Sequence, residues 1–176
     1  MKPKNTSLFG WINVFANYSW KDFLYDAILP FIIALILLIV ALYNDADMYV
    51  QVKTMLELGV TIIPGMVALM VAAYTIMLSF ILSDKVDEIK KTDSGKQFVQ
   101  SINSSFAMCL LVAVLTIVLL IFMQGISSMG IVVSQMCAKV INSVAYFMSC
   151  FFLVYSVYIL IGIVIDIYNS GQVTLL

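Results

Sequence analysis

The stretch Val60-Thr-Ile-Ile-Pro-Gly-Met-Val-Ala-Leu-Met-Val-Ala-Ala-Tyr-Thr-Ile-Met-Leu-Ser-Phe-Ile-Leu82 runs for 23 residues without a charged side chain. About 20 such residues, rising 1.5 Å each, cross the ~30 Å of bilayer hydrocarbon as a helix. Three more runs share this character, Phe23–Tyr43, Phe106–Met123 and Val144–Ile165, with Asp26 just inside the start of the first. The pattern predicts an all-α integral membrane protein of four helices. Spans are expected at about 20–43, 58–82, 100–124 and 141–167, within a single transmembrane domain covering 1–176.

Composition agrees. Of 176 residues, 63% are hydrophobic, and the mean hydropathy is +1.08, more apolar surface than a soluble domain of this size could hide. The net charge is −1 and the nine basic residues are all Lys, which gives no sign of a general nucleic-acid binder. Cys109, Cys137 and Cys150 form no C-x-x-C pair, and there is no His. No metal site and no cofactor are therefore expected, and Cys109 and Cys150, inside apolar runs, read as small hydrophobes. With no H-E-x-x-H, no G-x-S-x-G and no Gly-rich phosphate loop, the chain does not read as an enzyme.

Lysine distribution sets the expected topology. Lys2, Lys4, Lys21, Lys85, Lys90, Lys91 and Lys96 fall on one side of the spans, and only Lys53 and Lys139 on the other. By the positive-inside rule both termini and the middle loop are expected in the cytoplasm. In residues 1–19, Leu8, Trp11, Ile12, Phe15 and Tyr18 share a helical face, as expected of a helix lying in the headgroup plane; an ordinary aromatic flank is the other reading. Ser19-Trp-Lys-Asp22 fits a capping box that starts the first span near Trp20. Asn44-Asp-Ala-Asp47 offers N-caps for the next helix. Pro64 removes the donor for the Val60 carbonyl, so a bend or short break is expected there. Residues 83–99 should form a cytoplasmic hairpin extending the second and third helices, the third restarting at Ser94-Gly-Lys-Gln97. Its acidic residues alternate with Lys, as on any solvated helix. A second external connection is expected at about 124–140.

Two rows stand out. On the second span Thr61, Gly65, Ala68, Ala72, Thr75 and Ser79 recur at spacings of four and three, giving one helical stripe of small side chains. Met66, Met70, Tyr74, Met77 and Ile81 lie opposite. Such a stripe serves close helix packing or lines a water-filled path. On the fourth span Asn142, Tyr146, Ser149 and Ser156 form a polar row that needs partners on another helix or in water. Asn103, Ser104, Ser105 and Thr116 add polar groups to the third span. The absence of charge at mid-membrane counts against a coupled pump.

The plan resembles the small four-span membrane effectors of bacterial anti-phage defence systems. The shared features are the aromatic lead-in from Trp11 to Trp20, the small-residue second span from Thr61 to Ser79 and the charged hairpin from Asp84 to Lys96. The resemblance implies self-association in the inner membrane and opening of that membrane when a cytosolic partner senses infection. The expected function is a homo-oligomeric channel or pore-forming effector, with a tetramer as the expected assembly and lipid as its surroundings. Its gating signal would be a cytosolic protein, a nucleotide or an oligonucleotide, met by Lys85, Lys90, Lys91 and Lys96. The alternatives are a membrane anchor that recruits a cytosolic partner, or a small transporter using Asp26 or Asp166.

Overall fold

A computed structural model describes residues 20–81, 91–129 and 134–175. Four helices account for nearly all of them: α1 (Trp20–Tyr43), α2 (Met48–Ile81), α3 (Asp93–Ser128) and α4 (Gln135–Leu175). Each is long and apolar enough to cross a membrane. Helix makes up 94% of the described residues, so backbone polar groups at membrane depth bond within their own segment, as hydrocarbon requires. The interfacial helix expected over 1–19 and the hairpin tip at 82–90 lie outside the described residues.

The turn between α1 and α2 follows from local chemistry. Asp45 takes a left-handed φ of 46°. Its N–H donates to the Leu42 carbonyl at 3.2 Å and that of Ala46 to the Ala41 carbonyl at 3.0 Å, the paired bonds of a Schellman cap. Asp47 then caps α2, its Oδ1 accepting from the Tyr49 N–H at 2.9 Å.

Three boundary expectations need correction. Of the bend or short break expected at Pro64, the break is absent, since α2 runs unbroken through it. Only the Val60 carbonyl loses its donor, and packing against two neighbouring helices holds the rest in register. The cap of α3 is Thr92, whose side chain accepts from the Gly95 N–H at 3.1 Å, upstream of the Ser94 box. The connection expected over 124–140 shrinks, because α3 continues to Ser128 and α4 starts at Gln135, with Ser134 Oγ accepting from the Cys137 N–H at 3.4 Å. At ~1.5 Å per residue, α2, α3 and α4 all exceed the length the hydrocarbon needs.

The fourth helix is the hub. It packs against α1, α2 and α3, and α2 also packs against α3, while α1 rests chiefly on α4. Only 11% of the most apolar stretch of α1 is buried, against 39% in α3, so α1 lies on the outside and α3 within. The contact face of α1 is built of Ala27, Pro30, Ala34 and Ala41, small residues that let its backbone approach α4. Aromatic rings fasten it. Phe147, Phe151 and Tyr155 stack along α4 with centroids 6.4 and 5.7 Å apart, and Phe31 and Phe23 meet this ladder edge-on at 5.3 and 5.7 Å.

Candidate functional site: an outward small-residue groove

Methionine, valine and isoleucine side chains decide which way α2 faces. Met48, Val52, Leu56, Ile63, Met66, Met70 and Met77 are buried, at the three- and four-residue spacing of one helical face. Gly59 sits on that face for a steric reason. A Cβ there would fall inside the envelope of Leu120 Cδ1 and 3.1 Å from Leu153 Cδ2, so any larger residue would force these side-chain ends to shift.

The stripe is on the opposite side. Thr61, Gly65, Ala68, Ala72, Thr75 and Ser79 are all exposed on the protomer surface. Nothing lies within 4 Å of a Cβ built on Gly65. Leu58, Ile62, Leu69 and Ile76 rise along one side, and Val60, Val71 and Leu78 along the other; all are exposed. The small residues thus form the floor of a shallow groove between two apolar ridges. Thr54 and Glu57 continue this floor toward the α1–α2 turn, a continuation that stopping at the edge of the apolar run overlooks. Lys53 sits beside Glu57, with Nζ 3.9 Å from its carboxylate.

Hydroxyl protons on the floor are turned inward. Thr61 Oγ1 donates to the Glu57 carbonyl at 2.8 Å, Thr75 Oγ1 to Val71 at 2.9 Å and Ser79 Oγ to Thr75 at 3.1 Å. Each hydroxyl has one proton to give, so what remains toward the outside is an oxygen lone pair. The groove is therefore weakly polar and acceptor in character.

The polar row of α4 is used inside the protomer instead. Tyr146, Ser149 and Ser156 are buried, and Asn142 is half-buried. Ser149 Oγ faces Met123 Sδ at 3.9 Å, and Ser156 Oγ lies 3.2 Å from Thr116 Oγ1 at the α3–α4 contact. On α3, Ser104 and Thr116 are buried, while Asn103 Oδ1 accepts from Tyr74 Oη at 2.8 Å and ties α2 to α3. The Ser149–Met123, Ser156–Thr116 and Asn103–Tyr74 contacts thus join helices of one chain.

Of the lysines expected to meet a cytosolic signal, Lys85 and Lys90 lie outside the described residues. Lys91 is exposed, and Lys96 Nζ lies 3.5 Å from Asp93 Oδ1 on a well-exposed turn of α3. Asp26 is half-buried; the side chain of Asp166 lies outside the described residues. Cys109 and Cys150 are buried and Cys137 is exposed. Among the described residues no three His, Cys, Asp or Glu side chains converge on a point.

Comparison with protein-family models, curated proteins and solved structures finds no match for this chain.

Proposed function

We propose that the protein is a homo-oligomeric membrane channel or pore-forming effector whose α2 grooves meet around a symmetry axis. One observation carries this reading. The chain buries the small residues of α1 in its own fold, yet leaves the longer small-residue row of α2 wholly outside. Lipid gains nothing from such a row, whereas a second copy of the helix can approach it closely. Closure around an axis is the usual outcome when identical copies meet, and a tetramer is the count we favour. Toward the axis the groove would offer hydroxyl oxygens whose protons are already committed, a surface suited to water and small cations. The hairpin joining α2 to α3, with Lys85, Lys90, Lys91 and Lys96, is where a cytosolic protein, nucleotide or oligonucleotide would act on the gate. A bacterial inner membrane and a role in defence against phage fit this plan.

Ala72→Leu and Thr75→Leu test it. Both sites are exposed, so neither substitution disturbs the protomer core. Each variant is expected to abolish cation flux from reconstituted liposomes. Unchanged flux through a well-folded oligomer would remove the pore. A membrane anchor is the second reading, and the inward hydroxyl protons favour it too, since they also suit a dry helix contact. In that case the same substitutions break assembly, and wild type conducts nothing.

A further inference from the structure

Where α2 and α3 meet, the protomer surface holds a recess of about 380 Å³, lined by Tyr74 of α2 and by Ala107, Leu110, Leu111, Val114 and Leu115 of α3. A single large side chain removed from a core leaves roughly 150 Å³, so the recess has room for about two branched side chains. Its one polar side chain is already engaged, since Tyr74 Oη donates to Asn103 Oδ1 at 2.8 Å. The remaining walls are apolar, and Val114 and Leu115 are exposed, so the recess opens sideways.

Side chains that match it stand on the other flank of the same helix. Leu69 and Ile76 are the most exposed large apolar side chains of α2, at 64% and 66%. Seven residues apart, they share the ridge along one edge of the small-residue floor. Tyr74 lies past the opposite edge, three residues after Val71 and four before Leu78, which form the other ridge. Ridge and recess also share a depth. The helices α2 and α3 run antiparallel, with Tyr74 meeting Asn103 near one end and Gly59 meeting Leu120 further along. At ~1.5 Å per residue, Leu69 stands about 8 Å along α2 from Tyr74, and Leu111 stands as far along α3 from Phe106. The rings of Phe106 and Tyr74 are 5.7 Å apart, so Leu69 is level with the middle of the recess.

Copies of a membrane protein share one orientation, so a neighbour turned about an axis along the bilayer normal presents its Leu69 at this same depth. We propose that the recess receives Leu69 and Ile76 of a second copy of this chain. The contact joins unlike flanks and is therefore heterologous, the kind that closes into a ring. The Val71–Leu78 ridge beside the recess then enters the neighbour's groove and lies over its Gly65, Ala68 and Ala72, ridge into groove on both sides. The proposal rests on the reading that the α2 groove receives further copies, and it names the surface they meet. A bilayer acyl chain is the competing occupant. It would fill the recess but leave unexplained why the most prominent side chains of α2 stand at that depth on the opposite flank.

The test is disulfide trapping of the full-length protein in membranes, with the exposed Cys137 replaced by Ser; Cys109 and Cys150 are buried. One tagged copy carries Leu69→Cys and a differently tagged copy carries Val114→Cys, both at exposed positions, and the two are co-expressed. Oxidation is expected to join unlike copies and to leave like copies unjoined. Leu69→Ala, which leaves the protomer core untouched, should weaken association at least about tenfold in subunit counting on diluted liposomes. Joining of two Leu69→Cys copies in place of the unlike pair would overturn the proposal in favour of grooves packed face to face. An oligomer that forms no unlike pair, or in which Leu69→Ala associates like wild type, would leave the recess to lipid and overturn the proposal while the homo-oligomer stands. A wild type that stays monomeric at every dilution would remove the α2 reading and the proposal together, whereas interlocked rings without flux would uphold the proposal and remove the pore.

Discussion

Gly59 and Gly65 lie six residues apart on α2 and face opposite ways, so substituting each asks a separate question. At Gly59 an added methyl meets Leu120 and Leu153, both part of the packed interior. Ala should gain up to about 1 kcal/mol of helix propensity there and lose about 1–3 kcal/mol to overpacking. The net expectation is a protomer less stable by roughly 0–2 kcal/mol, with self-association unaltered once folded. At Gly65 the same methyl meets nothing, so Gly65→Ala should leave the protomer as stable or slightly more so. Gly65→Leu places a branched side chain on the groove floor. If a second copy packs there, overpacking of about 1–3 kcal/mol per contact weakens association roughly 5- to 150-fold. Protomer stability would be read by reversible unfolding in mixed micelles, and association by single-molecule subunit counting as protein is diluted in liposomes. The reasoning predicts a crossed result, Gly59→Ala acting on the first readout and Gly65→Leu on the second. A Gly65→Leu protein that assembles like wild type at every dilution would refute it.

Two further substitutions probe the protomer. Thr116→Val removes one hydroxyl of the buried Thr116–Ser156 contact, but Ser156 keeps its 2.8 Å bond to the Phe152 carbonyl; the expected loss is about 0.6 kcal/mol in unfolding, with flux unchanged. Asp45→Gly relieves the left-handed backbone of the α1–α2 turn and should raise stability by about 0.5–1 kcal/mol, whereas Asp45→Ala should lower it; the same unfolding assay reads both.

Hydrophobic length was enough to read four membrane-crossing helices from the chain, because hydrocarbon leaves the backbone so few solutions. A cap for α2 within Asn44–Asp47 was likewise readable, since caps are local chemistry. The overrun of α3 and α4 into residues 124–128 and 135–140 was not. Once packed on neighbours, a helix continues past its apolar run until a turn stops it, and Gly125 with open space around it is no stop. The stripe on α2 was visible as a period, but its direction depended on Met66, Met70 and Met77. Those side chains suit lipid and core equally, and only packing chose core. The small face of α1 left a signal in the sequence, the spacing of Ala27, Pro30, Ala34 and Ala41. The Phe147–Phe151–Tyr155 ladder was equally present at i, i+4, i+8. The cavity lined by Asp26, Ser105 and Tyr158 could not be read at all, since it needs the relative placement of three helices.

The two small-residue faces of this chain obey the same physics with opposite placement. Between lipid-bathed helices there is no hydrophobic attraction to speak of, so contact forms where backbones come close enough for dense van der Waals packing. On α1 that requirement is met within the chain, by α4. On α2 no such partner is found among the described residues. A lipid-facing position filled by Leu would favour the membrane by about 0.3–0.6 kcal/mol, so six positions without it forgo roughly 2–4 kcal/mol. A lone protomer has no use for that loss. The balance is restored if the groove receives another helix, and an identical one brings its own ridges of Leu69 and Ile76, or Val71 and Leu78, to fill the space above Gly65, Ala68 and Ala72. Whether water then follows depends on how far the floors stand from the axis, and the hydroxyls are suited to either outcome. With their protons held by the helix carbonyls, Thr61, Thr75 and Ser79 tolerate a dry contact, and their outward oxygens can solvate a wet one. Conduction would thus be set by the number of copies that close the ring together with the bulk of the side chains on the groove floor.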